Sequence, residues 1–295
     1  MNNISYTFII PHHNSPKLLN RCLDSIPERE DIQIIVVDDN SRQDAKPCVE
    51  RPDVEVIYID AVNTKGAGRA RNVGLKKAQG KWVLFADCDD YYSLNFLDAL
   101  DEYKEQDIDA LYFNFRFIDG VSGNQIKDNK LQKLLAKGHL SNEGINYIKY
   151  RNNTPWTKMV KQGYIVKYEM YFEEVLNGND ILFSLFVGSH TNNIAICKER
   201  LYNYIKNPNS IGTKKQSVSD LLCRIEHIIK KNAYFDSIGH PEWKTNLFIY
   251  LCRILKNHDI KIFLQIIVRL PMMLCNKQLK IGWLQLLGSH KKMDF

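Results

Sequence analysis

The sequence predicts an α/β fold built on a mostly parallel sheet, with a helical C-terminal extension. Three observations carry this expectation. Short apolar runs alternate with amphipathic stretches through the first third of the chain, which is the pattern of strand–helix–strand units. Polar residues gather where the apolar runs end, at Pro11-His12-His13-Asn14, Asp38-Asp39-Asn40-Ser41 and Asp87-Cys88-Asp89-Asp90, and ligands of such sheets bind beyond the carboxyl ends of the strands. From about residue 216 the apolar spacing turns helical.

Element by element, YTFII (6–10), IQIIVVDD (32–39), VEVIYID (54–60) and KWVLFAD (81–87) are expected as buried strands. LLNRCLDSI (18–26) and GRARNVGLKKA (68–78) have helical spacing, the second with Gly66 and Gly68 at its mouth. Residues 93–105 are expected as a helix and 109–118 as a strand. The polar stretch 119–144 is expected as a loop with a short helix, and 145–206 as mixed α/β. Three helices follow, the last, IKIFLQIIVRL, expected to stop at Pro271.

Composition bounds the class. Of 295 residues 44% are hydrophobic and 25% charged, ordinary for a globular protein. The net charge of +6 is uneven: residues 214–295 hold 14 Lys/Arg against 6 Asp/Glu, leaving the rest slightly acidic. A basic tail suits an anionic surface, or is a solvated helical face. Seven cysteines without CxxC spacing, such as Cys197 and Cys252 in apolar runs, are expected as buried reduced thiols in the cytosol. MNNISYTFII lacks a signal-peptide pattern. Ile262–Leu274 is about 13 residues long and interrupted by Arg269, too short to span a bilayer.

Three constellations carry chemistry. Asp87 and Asp89, on alternate positions of a strand end, are expected to project to one side; carboxylate oxygens suit Mg²⁺ or Mn²⁺, the remaining ligands coming from phosphate and water. Asp39 is an acceptor for a base N–H or a ribose hydroxyl, or else an Asx-turn residue. Lys65-Gly66-Ala67-Gly68-Arg69-Ala70-Arg71-Asn72 sets three cations and two glycines before a helix, either a phosphate cradle or an exposed basic helix end. His12 and His13, pointing opposite ways on a strand, fit nucleotide-loop positions better than metal ligands.

Taken together, FIIPHHN (8–14), IIVVDDNS (34–41), GAGRARNVGLKKAQGKWVLFADCDDYY (66–92), PWTKMV (155–160), GNDILF (178–183) and LYNYIKNPNSI (201–211) resemble glycosyltransferase family two of the GT-A superfamily, over roughly residues 5–211. The resemblance implies a GT-A catalytic domain at 1–215, with a nucleotide-sugar half to about 118 and an acceptor half beyond it, and a helical extension at 216–295. It implies an inverting, metal-dependent transfer from a nucleotide-diphosphate sugar, usually a UDP-sugar, to a saccharide or lipid-linked acceptor. The setting it implies is bacterial surface-polysaccharide, lipopolysaccharide or capsule synthesis at the cytoplasmic membrane face.

The implied roles are specific. Asp39 would contact the base, with Pro11, His12, Asn14 and Gly66 lining the nucleotide. Arg71 would lie near base or diphosphate, Asp87 near ribose or donor sugar, and Asp89, helped by Asp87, at the Mg²⁺ or Mn²⁺. Asp180 would be the general base; Asn179 stands where the family often has Glu. Trp156 is an acceptor platform or, preferably, a core aromatic.

Two rivals are weaker. A sugar-nucleotide pyrophosphorylase would need a glycine-rich signature near the first strand, and an inactive nucleotide-sugar-binding module would not need Asp87, Asp89 and Asp180 together. No nucleic-acid-binding motif is present. In the tail, Lys256, Lys261, Arg269, Lys277 and Lys280 accompany Phe248, Tyr250, Phe263 and Trp283. Such helices lie on an anionic membrane, form a homodimer or pack on the catalytic domain.

Overall fold

The computed structural model describes residues 4–60, 66–137, 140–207 and 216–275. Lys65, residues 208–211, Lys277, Lys280 and Trp283, singled out above, lie outside the described residues. The chain divides into two compact units, Met1–Lys214 and Lys215–Phe295.

The strands of the first unit are β1 (Tyr6–His12), β2 (Ile32–Asp39), β3 (Val54–Ile59), β4 (Trp82–Phe85), β5 (Tyr91–Tyr92), β6 (Ala110–Asp119), β7 (Lys158–Lys161) and β8 (Ile194–Lys206). Its helices are α1 (Pro16–Asp24), α2 (Ala67–Lys77), α3 (Phe96–Asp101), α4 (Lys130–Leu135), α5 (Asn142–Arg151), α6 (Gln162–Lys167) and α7 (Asp180–His190). The sheet order is β3-β2-β1-β4-β7-β6-β8-β5. β1 to β4 pair in parallel, as expected, but the sheet is mixed beyond them, because β7 runs antiparallel to both β4 and β6.

Every residue of β1 is buried, since the sheet is covered on both faces there. Phe8 meets Tyr92 and Phe96 edge-on, and Leu19, Cys22 and Leu23 of α1 join the same cluster. On the opposite face Ile35 and Val37 pack with Ala70 and Val73 of α2. Pro11 is tolerated in this central strand because the β4 ladder has already ended: Ile9 is the last β1 residue paired to β4.

Several expectations need correction. β3, expected as a buried strand, is the edge of the sheet and has no buried residue. Asp87 and Asp89 are not on a strand, because β4 stops at Phe85 and residues 88–89 form a turn closed by the Asp90 N–H to the Asp87 carbonyl at 3.0 Å. The helix expected over 93–105 is only α3, since the backbone enters it through Asn95 in the left-handed region at φ 58°. Cys252 is exposed rather than buried, and so is Cys48.

The second unit holds α8 (Val218–Ser237), α9 (Leu247–Asn257) and α10 (Ile260–Cys275). Ser217 and Asp220 form a reciprocal capping box that starts α8. Leu221, Ile225, Ile254 and Ile266 make the unit's own buried core. The last helix does not stop at Pro271 but runs through it to Cys275. Proline forfeits one helical hydrogen bond to the residue four back; that residue, Ile267, is on the exposed side, where its carbonyl can take water. Among the described residues no helix is long and apolar enough to cross a membrane.

Close approach between α2 and the segment before α7 shapes the future site. A Cβ on Gly68 would collide with the Glu173 carbonyl and approach the Asn179 side chain, and Gly66 adopts φ +136° beside Val175. Gly68→Ala is therefore expected to lower unfolding free energy by about 1–3 kcal/mol through overpacking, despite alanine's better helix propensity. Urea unfolding checks it, and a midpoint equal to or above that of the wild type refutes the account.

Candidate active site

The site grows from the carboxyl ends of β1, β2 and β4 and from the N-terminal ends of α2 and α7. At the first two ends the side chains lock the turns. The His12 ring is buried; its Nδ1 lies 2.7 Å from Asp38 Oδ1, and its Nε2 accepts the Ser15 N–H at 3.1 Å. That second bond leaves the ring proton on Nδ1, donated to Asp38. Asp38 also accepts the Ser41 N–H at 3.1 Å and the Ser41 hydroxyl. Burial acts to raise the Asp38 carboxyl, but the Ser41 and His12 hydrogen bonds outweigh it and hold it below the usual carboxylate range. Asn14, at φ 53°, donates its N–H to the Ser41 hydroxyl and accepts the Arg42 N–H, each at 2.8 Å. Asp38 is thus the turn-former. His12 contributes position rather than contact, a correction to the expectation that it lines the nucleotide, because its ring is enclosed and both nitrogens are engaged. His13 lies one residue past β1, exposed, with Nδ1 2.8 Å from the Asp39 carbonyl.

Asp39 is the open member of the acidic pair. It is only 5% exposed; Oδ2 accepts the Gly66 N–H at 2.6 Å, while Oδ1 is buried without a hydrogen-bond partner. A buried carboxylate oxygen left unpaired costs free energy, so an added N–H or O–H donor would be welcomed there. The Gly66 N–H is engaged by its bond to Asp39, and a Cβ on Gly66 or Gly68 would approach the backbone of Val175 or Glu173. The glycines serve close packing.

Arg71 stands at the centre. It is buried, donates to Asp87 Oδ1 at 2.5 Å and to Asn179 Oδ1 at 2.8 Å, and lies 5.2 Å from the centre of the Phe172 ring. Its neighbour Asn72 clamps the Phe172 backbone from both sides, at 2.9 Å to the carbonyl and 2.8 Å from the N–H. Arg71 therefore joins the β4 turn to the start of α7, and Asp180, the first residue of α7, follows Asn179 directly. Burial raises the Asp180 carboxyl, and the Asp87 charge adds to the effect, against Arg71 and Lys158. Lys158 is itself buried, its Nζ bonding the carbonyls of Asn152 (3.0 Å) and Thr154.

The β4 turn is braced from β8. Tyr202 accepts the Asp87 N–H at 2.9 Å and donates to Asp90 Oδ2 at 2.9 Å, while the Ile205 N–H reaches Asp90 Oδ1 at 2.7 Å. Asp90 is wholly buried, and burial with the charges of Asp87 and Asp89 pushes its carboxyl well up. Burial first, then the Asp87 charge, pushes Asp89 up to about 6. Among the described residues no cluster of three or more His, Cys, Asp or Glu is arranged to hold a metal ion. Two half-exposed, mutually repelling carboxylates do fit a divalent cation that takes its remaining ligands from a diphosphate and water. Trp156 is core: it is buried, stacking on Tyr202 at 4.9 Å and Tyr204 at 5.4 Å.

Against this geometry, a family model described as glycosyl transferase family 2 matches residues 7–176. The chain belongs to that family. The poly(ribitol-phosphate) β-N-acetylglucosaminyltransferase TarS of Staphylococcus aureus is 28% identical over 211 residues, which cover 68% of this chain and 35% of TarS. EpsJ of Bacillus subtilis, named as an uncharacterized glycosyltransferase, is 25% identical over 265 residues, 84% of this chain and 74% of EpsJ. A crystal structure of S. aureus TarS 1–349 in complex with UDP-GlcNAc aligns with TM-score 0.60 at 22% identity, covering 96% of this chain and 80% of that one. The fold is the GT-A fold. The chain spans about a third of the length of TarS.

Residue-level reading assigns no separate role to Tyr202, Asp90 or Asn72, although all three lie inside family-like blocks, in LYNYIK, as the last acid of DCDD and in GRARN. Only the fold reveals that Tyr202 braces Asp90 and that Asn72 clamps Phe172. Tyr202→Phe keeps the ring stack and removes both hydroxyl bonds. It is expected to cost about 1–3 kcal/mol of stability for the buried groups left unpaired, measured by chemical denaturation; unchanged stability would show that the brace is idle.

Proposed function

We propose that the chain transfers a sugar from a nucleotide-diphosphate donor, a UDP-sugar in the first instance, to a hydroxyl of a saccharide or lipid-linked acceptor, with inversion at the anomeric carbon. The observation that carries this reading is the gathering of Asp39, Asp87 and Asp180 around the N-terminal turns of α2 and α7, where Arg71 joins Asp87 to Asn179 next to Asp180 and Asp89 follows in the same turn as Asp87. Relatives point to the donor class: TarS is named for N-acetylglucosamine transfer to poly(ribitol-phosphate), and its structural counterpart carries UDP-GlcNAc. The setting we propose is the building of a cell-wall polymer, capsule or lipopolysaccharide at the inner face of the cell membrane.

In this reading the unpaired Oδ1 of Asp39 accepts an N–H of the base. Pro11 and Asn14 hold the backbone that borders the nucleotide. Asp87, fixed by Arg71 and by its N–H on Tyr202, accepts a hydroxyl of the ribose or donor sugar. Asp89, with Asp87, would hold Mg²⁺ or Mn²⁺, and the ion when bound would neutralise charge on the departing diphosphate. Asp180 takes the proton of the acceptor hydroxyl as that oxygen bonds to the anomeric carbon. The bond from that carbon to the diphosphate oxygen breaks, and its electron pair leaves with the nucleoside diphosphate. One displacement inverts the configuration. Burial brings Asp180 closer to neutrality, which makes it a stronger base than a free carboxylate.

A panel of nucleotide sugars, assayed for donor hydrolysis and transfer with Mg²⁺ or Mn²⁺, tests the reading; turnover of no nucleotide sugar by the folded chain would sink it. Asp180→Asn should bind donor nearly as the wild type does and transfer roughly 10²–10⁴-fold more slowly. Wild-type turnover, or retention of configuration in the wild-type product, contradicts the assignment. Asp89→Ala should lose cation-dependent donor binding by calorimetry, and full transfer in excess EDTA would remove the cation from the account.

A further inference from the structure

Helices α9 and α10 each turn one apolar stripe inward and a second outward. In α9, Leu247, Leu251 and Ile254 join the unit's core, while Phe248 and Leu255, seven residues apart, are exposed. In α10, Ile262, Ile266 and Leu270 pack inward, while Ile260, Leu264, Ile267 and Val268 stand exposed, Val268 at 72%. The spacing of 260, 264, 267 and 268 places these on one side of the helix. Exposed apolar side chains that recur at helical spacing on two successive helices differ from the scattered ones normal on a surface.

Charge identifies the occupant. The exposed cations Arg253, Lys256, Lys261 and Arg269 accompany the two stripes, and Asp259 is the only acid from 247 to 275. Lys261 borders the outer stripe of α10 next to Val268, and Arg269 lies on the same exposed flank, further round toward the inward face. Pairing two copies through these faces would bring like charges together without acids to oppose them. An anionic surface matches both features, because it offers an apolar layer beneath a negative one.

We propose that the outward stripes of α9 and α10 dock on the headgroup–acyl boundary of an anionic phospholipid bilayer, lying in the interface rather than crossing it. Long Lys and Arg stems lie along the apolar layer and keep their charges at the phosphates. The inference does not depend on the transfer reaction, since it concerns a surface of the second unit alone.

The test is flotation of the full chain with phosphatidylcholine vesicles, with and without phosphatidylglycerol. The chain should float with the anionic vesicles only, and less as salt rises. Removing two cations in Lys261→Gln/Arg269→Gln should weaken binding about 30-fold, at roughly fivefold per cation. Leu264→Glu/Val268→Glu should abolish it. Both variants alter exposed positions, so circular dichroism and donor hydrolysis should remain as in the wild type; if either misfolds, the lipid and salt dependence of the wild type still decides. The proposal is overturned by full recovery of the wild type in the unbound fraction, by equal binding to neutral vesicles, or by binding intact in both folded variants. A dimer by light scattering that Leu264→Glu/Val268→Glu splits, without vesicle binding, would assign the face to a second copy instead.

Discussion

The buried guanidinium of Arg71 is the constraint on which the rest of the site depends. Its two donors reach Asp87, beyond β4, and Asn179, just before α7. These residues are distant in sequence, and the one side chain fixes their separation. Taking a charge out of water is costly, and a buried pair is worth keeping only when its geometry and hydrogen bonds are good. Here the fork of arginine meets two acceptors, and the Phe172 ring receives its face. Loss of one partner of such a pair typically costs about 3–5 kcal/mol, with the lower end fitting Asp87, whose side chain is 28% exposed. A lysine could not replace this bridge, because a single ammonium lacks the planar fork. Asn72 and the glycines of α2 extend the clamp: they bring the helix against the segment that leads into Asp180.

Much of this could be read from residues alone. The strands β1, β2 and β4 declare themselves because buried parallel strands are continuous apolar runs, whereas β3, at the sheet edge, has no fully buried residue. The roles of Asp38 and Asp39 could not be divided by sequence, since both readings of the pair were sound chemistry. The fold divides them: His12 and Ser41 take Asp38 into a turn, and Asp39 keeps one oxygen unpaired. The acids after β4 were legible as a cluster but not as a turn, because a hydrophobic run followed by Asp does not say where the ladder of hydrogen bonds ends. Long-range partners such as Tyr202 leave no local signal, as their spacing is set by the topology that lays β8 beside β5 and β6.

The turn at Asp87–Asp90 is fixed from both ends of the first unit. Four acidic or polarisable groups are packed where burial penalises charge, and Asp89 and Asp90 are both driven up. Such an arrangement persists only if surrounding structure over-determines it. The determinants come from two directions: Arg71 holds the side chain of Asp87 from α2, and Tyr202 holds its N–H from β8 while also anchoring Asp90. Stacking of Tyr202 on Trp156 then ties that anchor into the core. The aromatic that sequence alone left between acceptor platform and core is therefore two contacts away from the carboxylates, through packing rather than through a ligand.

Asn179 stands where the family resemblance implies a glutamate, and the surrounding charges bear on how the amide serves. Arg71 needs an acceptor at this position, and an amide oxygen supplies it at 2.8 Å. A carboxylate would supply it too, but would add a further negative charge beside Asp87, Asp89 and Asp180. Asp180 is already raised by burial and by Asp87. A further negative charge there would act in the same direction. The neutral amide keeps the bridge to Arg71 and leaves the guanidinium charge to Asp87 and Asp180.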